Sequence, residues 1–333
     1  MKNWICREIN CKNFLPIGAV KTASIFFGVE ELEKIKIGTR ASRVALWQAE
    51  FVANEIRKFF PEVELIKIQT TGDKILDSPL AKIGGKGLFT KEIEKQLAEG
   101  KIDLAVHSLK DVPNELEKNF RIAAITKREN PFDAFVSEKF LSLESLPKNS
   151  IVGTSSLRRA AQILKIRPDL KIKNLRGNVE TPLKKLDAGE FDAIILAAAG
   201  LKRLGYGSRI KQILSEIIPA AGQGALAIEI RAEDFATAEK IKFLNDQKTF
   251  SAVKVERDFL KKVGGSCQFP VGIFAEIENE KISARAIISS TDGKNFVEDK
   301  KIDSFENLDD FGESFAENLL NRGGKKILSE VLN

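Results

Sequence analysis

The sequence predicts an α/β protein with two similar domains and a smaller α+β domain at the carboxyl end. Between Ile35 and Ala198, apolar runs with a strand period alternate with stretches of helical period, as in open sheets covered by helices. After Gln247 the pattern changes to alternating strands around the turn 291–293, followed by a mostly helical stretch. The length of 333 residues fits two or three domains of ordinary size.

The first domain is predicted to begin with a strand at 34–38, a turn and a helix at 44–60. The elements predicted to follow are strands at 63–70, 102–107 and 120–126 and a helix at 91–98. In open α/β sheets, ligands bind beyond the carboxyl ends of the strands. Side chains at those ends are therefore the first candidates for a site.

A second α/β series follows the first and has the same style. Its predicted elements are strands at 151–153, 171–175 and 193–198 and helices at 157–166 and 183–188. The third domain is predicted to contain a helix at 250–263, alternating strands at 272–287 and 296–302, and a mostly helical stretch at 308–332.

The composition limits the classes of function. Lys and Arg total 53 against 47 Asp and Glu, and the two signs are interspersed, which is not typical of a nucleic-acid-binding arm. No apolar run reaches the ~18 residues of a membrane span. Three cysteines and one histidine are too few for a disulfide framework or a four-ligand zinc site. We therefore expect a cytoplasmic protein that uses no metal and has no membrane or nucleic-acid partner.

Residues 1–33 do not share the regular pattern of the rest. The stretch 13–29 is mildly apolar, but Lys21 interrupts it and no small-residue cleavage site follows. We interpret residues 1–33 as an N-terminal extension of unknown role. It is either an appended or misassigned start or, less simply, a targeting segment.

Arginines are found where predicted strands end. Arg40 and Ser42 lie between the first strand and its helix, where free N–H groups attract anions. The segment 153–159 repeats this arrangement, with hydroxyl groups that can cap the helix and with Arg158 and Arg159 in its first turn. Because cations oppose the helix dipole there, either an anionic ligand or a salt bridge to the neighbouring domain is expected.

Arg176 and Arg203 also follow predicted strands. The planar guanidinium group suits bidentate binding of carboxylates or phosphates. The pattern therefore predicts a ligand with several such groups, and a polycarboxylate is one candidate class.

The residues Lys110 and Asp111 directly follow the predicted strand 102–107, at the edge where α/β sites form. An isolated surface ion pair would give the same local pattern. His107 is expected to be a hydrogen-bonded structural residue and not a catalyst, although an unperturbed imidazole could serve as one.

Two glycine-rich segments differ in what they predict. Residues 84–87 lack the spacing of a nucleotide-binding loop, and a mobile lid carrying Lys82 and Lys86 is the better interpretation. Cys267 lies in a glycine loop between a predicted helix and a strand. A free cysteine is usually a buried apolar side chain, but this loop would leave a thiolate room to hold a group covalently.

From Lys34 onward, the sequence resembles the porphobilinogen deaminase (hydroxymethylbilane synthase) family. The segments that carry the resemblance are long and specific, and the resemblance covers all but the first 33 residues. They are LAKIGGKGLF at 80–89, VHSLKDVP at 106–113, GTSSLRR at 153–159, PAAGQGA at 219–225, and Glu256-Arg257 followed by GSC at 265–267.

The resemblance implies a transferase of tetrapyrrole biosynthesis that condenses porphobilinogen stepwise, with loss of ammonia, and releases hydroxymethylbilane by hydrolysis. It implies a dipyrromethane cofactor attached covalently through Cys267, and Asp111 as the catalytic carboxylate. The other residues it implies around the cofactor are Lys110, Thr154, Ser155, Ser156, Arg158, Arg159, Arg176 and Gly177. Those implied for the substrate are Arg40, Ser42, Arg176, Arg203 and Gln223, and those implied for the lid are Lys82, Lys86 and Phe89.

The resemblance further implies two periplasmic-binding-protein-like α/β domains and a small α+β C-terminal domain that carries the cysteine loop. The expected limits are 34–127 with 224–244 for domain 1, 128–223 for domain 2 and 245–333 for domain 3. Two segments would then link domains 1 and 2 like a hinge, because the chain returns to domain 1 after Gln223. A monomer is expected.

Three positions depart from the family pattern. Pro182 stands where the family typically has arginine, and it is predicted to be the first helical residue after the cap Thr181. Either one carboxylate contact is missing, or Lys184 or Lys185 supplies it. Lys185 is favoured over Lys184 because it shares the helix face of residue 182. Phe269 replaces a small β-branched residue and is expected to pack, and Thr71 stands where many members carry a basic residue.

Two other functions fit parts of the pattern. A two-lobed binding protein for an anionic small molecule would also gather arginines between its lobes, but it would not need the Cys267 loop. A nucleic-acid-binding protein would fit the basic pI near 9.0, but the sequence contains no recognisable reading motif.

Overall fold

Three β-sheets organise the part of the chain that the computed structural model describes, which is residues 34–74, 90–264 and 269–332. The first two sheets have five strands each, and the third has three. Helices cover the sheets. The predicted class, two α/β domains followed by a small α+β domain, is confirmed.

The first sheet has the strand order β2-β1-β3-β10-β4. Its strands are β1 (Ile35–Arg40), β2 (Val63–Ile68), β3 (Leu104–Ser108), β4 (Phe120–Ile125) and β10 (Leu226–Arg231). Strands β1, β2 and β3 are parallel, and β10 is antiparallel to both of its neighbours. The helices of this region are α1 (Arg43–Arg57), α2 (Thr71–Lys74), α3 (Lys91–Ala98) and α7 (Phe235–Ile241).

Helix α1 shows why these residues form this layer. Ala49, Val52, Ala53 and Ile56 recur at three- and four-residue spacing, so they share one face of the helix. All of them are fully buried in the core beneath the first sheet. The opposite side of α1 stays partly exposed, and its first turns lie beside the candidate site described below.

The second sheet repeats the arrangement, with the order β7-β6-β8-β5-β9. Its strands are β5 (Asp133–Val136), β6 (Ile151–Gly153), β7 (Lys171–Lys173), β8 (Ala193–Ala197) and β9 (Ile210–Leu214). Strands β6, β7 and β8 are parallel, and β5 is antiparallel to β8 and β9. Its helices are α4 (Leu157–Ile166), α5 (Glu180–Asp187) and α6 (Ala198–Arg203).

The chain passes between these two sheets twice. Residues 126–132 lead from β4 to β5, and residues 215–225 lead from β9 back to β10. The two crossing segments touch, because the Glu129 N–H donates to the Gly224 carbonyl at 3.2 Å. Gly224 has a φ of +93°, and a Cβ there would collide with the Glu129 carbonyl oxygen, so only glycine fits this approach.

The third sheet is antiparallel and consists of β11 (Val271–Glu278), β12 (Lys281–Ser289) and β13 (Phe296–Ser304). It packs against α8 (Gln247–Val263), α9 (Leu308–Leu319) and α10 (Lys325–Leu332). Segment 272–287, predicted as one alternating stretch, falls in two strands. They are joined by a tight turn in which Asn279 and Glu280 take φ values of 48° and 59°.

Several predicted limits match those observed, including those of α3, α4 and β6. The prediction for α5 was wrong at its start: the helix begins at Glu180 after the cap Val179, so Pro182 is its third residue. Proline is still tolerated there, because the first four N–H groups of a helix have no intrahelical acceptor. None of the described helices is long and apolar enough to cross a lipid bilayer.

Candidate active site

A cleft of about 290 Å³ lies where the two five-stranded sheets and the second crossing segment meet. Its walls come from the ends of β1, β3 and β8, from the starts of α1 and α6, and from residues 223–225. The carboxyl ends of the parallel strands in both sheets therefore point to one cleft, as expected for ligand sites on α/β sheets.

The cleft brings together many of the residues singled out in the sequence. Those that line it are Arg40, Ser42, Lys110, Asp111, Arg159, Gly177, Arg203 and Gln223. Among the described residues, the predicted ligands Thr154, Ser155, Ser156, Arg158 and Arg176 do not belong to this lining. Cys267, Lys82, Lys86 and Phe89 lie outside the described residues.

Hydroxyl groups at the two helix starts bind the backbone. The Ser42 hydroxyl accepts from the Ala45 N–H at 3.3 Å and caps α1. The Ser156 hydroxyl accepts from the Arg159 N–H at 3.4 Å and caps α4. Helix capping, predicted for the second of these segments, is thus observed at both.

Asp133, at the start of β5, neutralises part of the charge of the predicted arginine pair. Its fully buried carboxylate lies 2.8 Å from Arg158 Nη1 and 2.7 Å from Arg159 Nη2, and it also accepts from Gln223 Nε2 at 2.9 Å. Burial alone would raise the pKa of Asp133, but the two guanidinium groups outweigh it and hold that pKa well below its usual value. One carboxylate facing two guanidinium groups leaves one positive charge in excess.

The Arg158–Asp133 and Arg159–Asp133 contacts answer the question left open by the sequence. Both arginines form a salt bridge, but the partner lies in their own sheet and not in the neighbouring domain. Arg158 is almost completely buried and donates to the Ile218 carbonyl at 2.8 Å. Only Arg159 of the two reaches the cleft lining.

Arg203, at the end of α6, has no comparable counterion in the part of the chain that the structure describes. Its Nη2 donates to the Gly224 carbonyl at 2.7 Å, and its guanidinium carbon lies 5.7 Å from the centroid of the Trp47 ring. The acidic group that acts on it, Glu129, is itself paired with Lys202 at 3.0 Å. Burial lowers the pKa of Arg203 to about 10. Within the described chain, Arg203 is thus a largely desolvated cation without a carboxylate partner.

Lys110 and Asp111 lie in a 3₁₀ turn, Leu109–Asp111, that directly follows β3. Lys110 is partly buried, whereas Asp111 is exposed. Burial lowers the pKa of the Lys110 ammonium, although the neighbouring Asp111 opposes this effect. Among the described residues that line the cleft, Asp111 is therefore the one solvent-accessible carboxylate beside several cations.

His107 lines the cleft, and its imidazole ring is held by a buried carboxylate. Its Nε2 lies 2.9 Å from Oε2 of Glu229 on β10, and both side chains are buried. The predicted structural role, a hydrogen-bonded imidazole, agrees with this contact. Glu229 was not singled out from the sequence, since it lies 122 residues away.

Other residues near the cleft were also missed. Gln48 of α1 lines it and donates to the Ser108 hydroxyl at 2.8 Å. Asp133 could have been suspected, because an acidic residue opening an apolar strand is seldom buried without a partner. Trp47, which stacks on Phe51 with ring centroids 5.6 Å apart, carries no polar signal of this kind.

The positions that depart from the family pattern lie away from the cleft lining. Pro182 is buried on α5, and neither it nor Lys185 lines the cleft among the described residues, so the proposed compensating contact finds no support there. Phe269 packs against the core of the third sheet, as expected. The Thr71 N–H and hydroxyl both donate to the Glu92 carboxylate.

This arrangement suits an anionic ligand with more than one carboxylate. Desolvated cations favour negative groups strongly, because water does not screen them. The accessible carboxylate of Asp111 can stabilise positive charge that develops on the same ligand. The described residues contain no cluster of three or more His, Cys, Asp or Glu placed to hold a metal ion.

Solved structures with partial similarity include binding proteins. The methionine-binding protein MetQ is 16% identical, covering 64% of this chain and 88% of that chain, with a TM-score of 0.42. A periplasmic substrate-binding protein of an ABC transporter from Coxiella burnetii is 14% identical, covering 65% of this chain and 94% of that chain, with a TM-score of 0.41.

Sequence comparison is far more specific. Residues 35–239 match the family model described as "Porphobilinogen deaminase, dipyromethane cofactor binding domain", and residues 250–321 match "Porphobilinogen deaminase, C-terminal domain". The porphobilinogen deaminase of Campylobacter hominis is 49% identical over 305 residues, which is 90% of this chain and 99% of the relative. That of Thiobacillus denitrificans is 48% identical over 304 residues, with the same coverage. This chain therefore belongs to the porphobilinogen deaminase family.

Proposed function

We propose that the protein is a porphobilinogen deaminase (hydroxymethylbilane synthase), a transferase of tetrapyrrole biosynthesis. It condenses porphobilinogen molecules head to tail with release of ammonia, and it releases the finished chain by hydrolysis. The observation that carries the proposal, beside membership of the family, is Arg203: a desolvated guanidinium without a described counterion, in a cleft that also holds Lys110 and Asp111.

The cations of the cleft match the substrate. Porphobilinogen carries an acetate and a propionate on its pyrrole ring, so each added unit brings two carboxylates. Arg203 is available to bind them, and Lys110 and Arg159, which are assigned to the cofactor below, add to the positive charge of the cleft. Charge-assisted hydrogen bonds to such groups fix the ring as well as attract it.

The Asp111 carboxylate acts on the part of the substrate that reacts, which is the aminomethyl arm and its pyrrole ring. When the aminomethyl arm loses ammonia, positive charge spreads over the pyrrole ring. A fixed carboxylate nearby stabilises this charge in the transition state more than in the ground state, which is the requirement for catalysis. The same carboxylate can accept the proton that leaves the attacking pyrrole carbon.

The dipyrromethane cofactor of this family fits the same donor set. When bound, it supplies the primer to which porphobilinogen is added. Its carboxylates would be held by Lys110 and Arg159, with the Gly177 backbone near them, and Cys267 would provide the covalent link. The excess positive charge around Asp133 supports this assignment.

The domain limits follow from the same interpretation. We propose residues 34–127 with 224–244 as domain 1, 128–223 as domain 2 and 245–333 as domain 3. The three separate sheets and the two crossing segments support these limits. We propose that the enzyme is monomeric. The small number of cysteines supports a cytoplasmic location.

Intact mass and turnover together test the proposed function. The wild-type protein should carry the added mass of a covalent dipyrromethane and should release ammonia from porphobilinogen. Cys267→Ser should have the unmodified mass and little activity, whereas the controls Cys6→Ser and Cys11→Ser should keep both. An adduct retained in Cys267→Ser would overturn the attachment site. An unmodified, inactive wild type would favour the alternative, a binding protein for an anionic small molecule.

A further inference from the structure

Arg257, in the middle of α8, reaches across to the segment that follows Asp111. Its Nη2 donates to the carbonyl oxygens of Pro113 at 2.6 Å and of Asn114 at 3.0 Å. Its Nη1 makes a longer contact of 3.4 Å to the Val112 carbonyl. One side chain of the third domain thus binds three consecutive carbonyl groups next to the accessible carboxylate of the cleft.

The Asp111 carboxylate depends on its backbone for its position. Among the described residues, it forms no hydrogen bond and no ion pair of its own. Its neighbour Lys110 acts on it only through charge. Whatever fixes the 3₁₀ turn Leu109–Asp111 therefore also fixes this carboxylate.

Apolar packing anchors the residues on either side of Lys110 and Asp111, because Leu109 and Val112 belong to one buried cluster. A second cavity, of about 240 Å³, borders the turn and is lined by Leu109, Ile122, Phe250 and Arg257 among others. Hydrogen bonds hold the backbone of the turn at both of its ends. The Leu109 N–H donates to the Ala225 carbonyl at 3.1 Å at the start of the turn, and Arg257 binds the residues after its end.

The guanidinium group of Arg257 binds these carbonyl groups and no carboxylate among the described residues. Burial lowers its pKa, and within the described chain it forms no salt bridge; Asp258, the one acidic group that acts on it, is paired with Lys254 at 2.8 Å. The preceding residue, Glu256, binds a different part of the molecule, since its carboxylate pairs with Arg128. A planar guanidinium can serve three acceptors in a row, whereas an ammonium is a point charge with weaker directional preference.

We propose that Arg257 is a positioning residue that holds the Asp111 turn at the place the reaction requires. The kinetic part of this inference rests on the proposed function. A carboxylate that stabilises developing charge must already be in position, and a displacement of about 1 Å can cost on the order of 100-fold in rate. Arg257 does not line the substrate cleft, so it acts through the turn and not by touching the substrate.

The test combines kinetics with local hydrogen exchange on the full-length, cofactor-loaded protein. Arg257→Gln should lower kcat for porphobilinogen by roughly 10- to 100-fold while KM stays within threefold of wild type. Amide exchange of the segment 109–115 should become faster, with no change in the sheet strand β12. Arg257→Lys should recover part of kcat. Lys254→Gln is the matched control, because it removes a cation from the same helix and cavity without touching the turn, and it should behave like wild type.

Each possible result of this test bears on a different part of the proposal. Wild-type kcat in Arg257→Gln, or an increase in KM at constant kcat, would overturn the positioning role. If amide exchange of residues 109–115 is unchanged in Arg257→Gln, the proposal that Arg257 holds the turn in place is wrong. If Arg257→Gln does not fold, Arg257→Lys decides, and a kcat equal to that of the wild type contradicts the proposal. The exchange measurement requires no turnover, so its result stands apart from failure of the proposed function, which an inactive wild type would reveal.

Discussion

The side chains of Arg128 and Glu256 form a bidentate, buried ion pair beside the place where the chain crosses between the two large sheets. Arg128 Nη1 lies 2.7 Å from Oε1 of Glu256, and Nη2 lies 3.2 Å from Oε2. The same carboxylate accepts from the N–H groups of Gly222 at 2.6 Å and of Ala275 at 2.8 Å. Glu256 therefore joins both crossing segments to the third sheet.

Glu256→Gln is expected to lower the free energy of unfolding by about 3 kcal/mol, because it leaves the Arg128 guanidinium buried without a counterion. Urea unfolding at neutral pH measures this change. Glu239→Gln is the control, since that glutamate is exposed at the surface and pairs with Lys242 on the next turn. Similar unfolding curves for both variants would show that the buried pair contributes no more than a surface pair.

Asp133→Asn tests the counterion of the Arg158 and Arg159 pair. At pH 7 we expect a loss of about 3 kcal/mol, because two buried guanidinium groups lose their carboxylate. The folded pKa of Asp133 is depressed, so its contribution is complete above the ordinary aspartate value of 3.8 and is lost as the pH falls toward the folded pKa.

The difference in stability between wild type and Asp133→Asn should accordingly be constant between pH 7 and 5 and should shrink below about pH 4. Urea midpoints at several pH values provide the measurement. Asp187→Asn is the control, because it removes an exposed partner of Arg209 and should cost far less stability at pH 7. A difference that grows on acidification would contradict the sign of the assigned pKa shift.

Arg203→Gln should raise KM for porphobilinogen by roughly 10- to 100-fold, the range expected for losing a charge-assisted hydrogen bond of about 1.5–3 kcal/mol. The reason is that Arg203 lines the cleft without a described counterion. Steady-state kinetics gives the value. Arg209→Gln serves as the control, because that arginine is engaged by Glu138 and Asp187 at the surface. An equal effect of both changes would show that the contribution comes from net charge and not from the cleft.

The lowered pKa of the Lys110 ammonium predicts that substrate capture depends on pH. Burial lowers its pKa below the ordinary lysine value of 10.5, so the ammonium loses its proton earlier on the alkaline side and its attraction for carboxylates is lost as the pH rises. The pH profile of kcat/KM reports the ionisations of the free enzyme, and we expect kcat/KM to fall as the pH rises on the alkaline side. In Lys110→Arg the guanidinium stays charged, and the ratio of wild type to variant should decline with pH. Because both enzymes share the ionisations of the substrate, a flat ratio would exclude Lys110 as the group responsible.

The sequence by itself determined the local elements and the kinds of residue at the site. Helices α3 and α4 were predicted with their observed limits, because apolar residues at helical spacing report which face is buried wherever the helix packs. Arg40, Lys110, Asp111 and Arg203 were selected for a related reason, and all four line the cleft. Each lies at or shortly after the carboxyl end of a strand, and in open α/β sheets such ends form the ligand-binding edge.

The tertiary structure alone decided which charges are already satisfied. Arg159 meets Asp133 across 26 residues, and Gln223 meets the same carboxylate across 90 residues. A local pattern cannot report such pairs, because they form only after the chain crosses between sheets and places β5 beside β8. Arg158 and Arg203 look alike in the sequence, yet one is neutralised and the other lacks a described counterion. The difference arises from burial and from the position of distant carboxylates, since the energy of a desolvated charge depends on its neighbours in space.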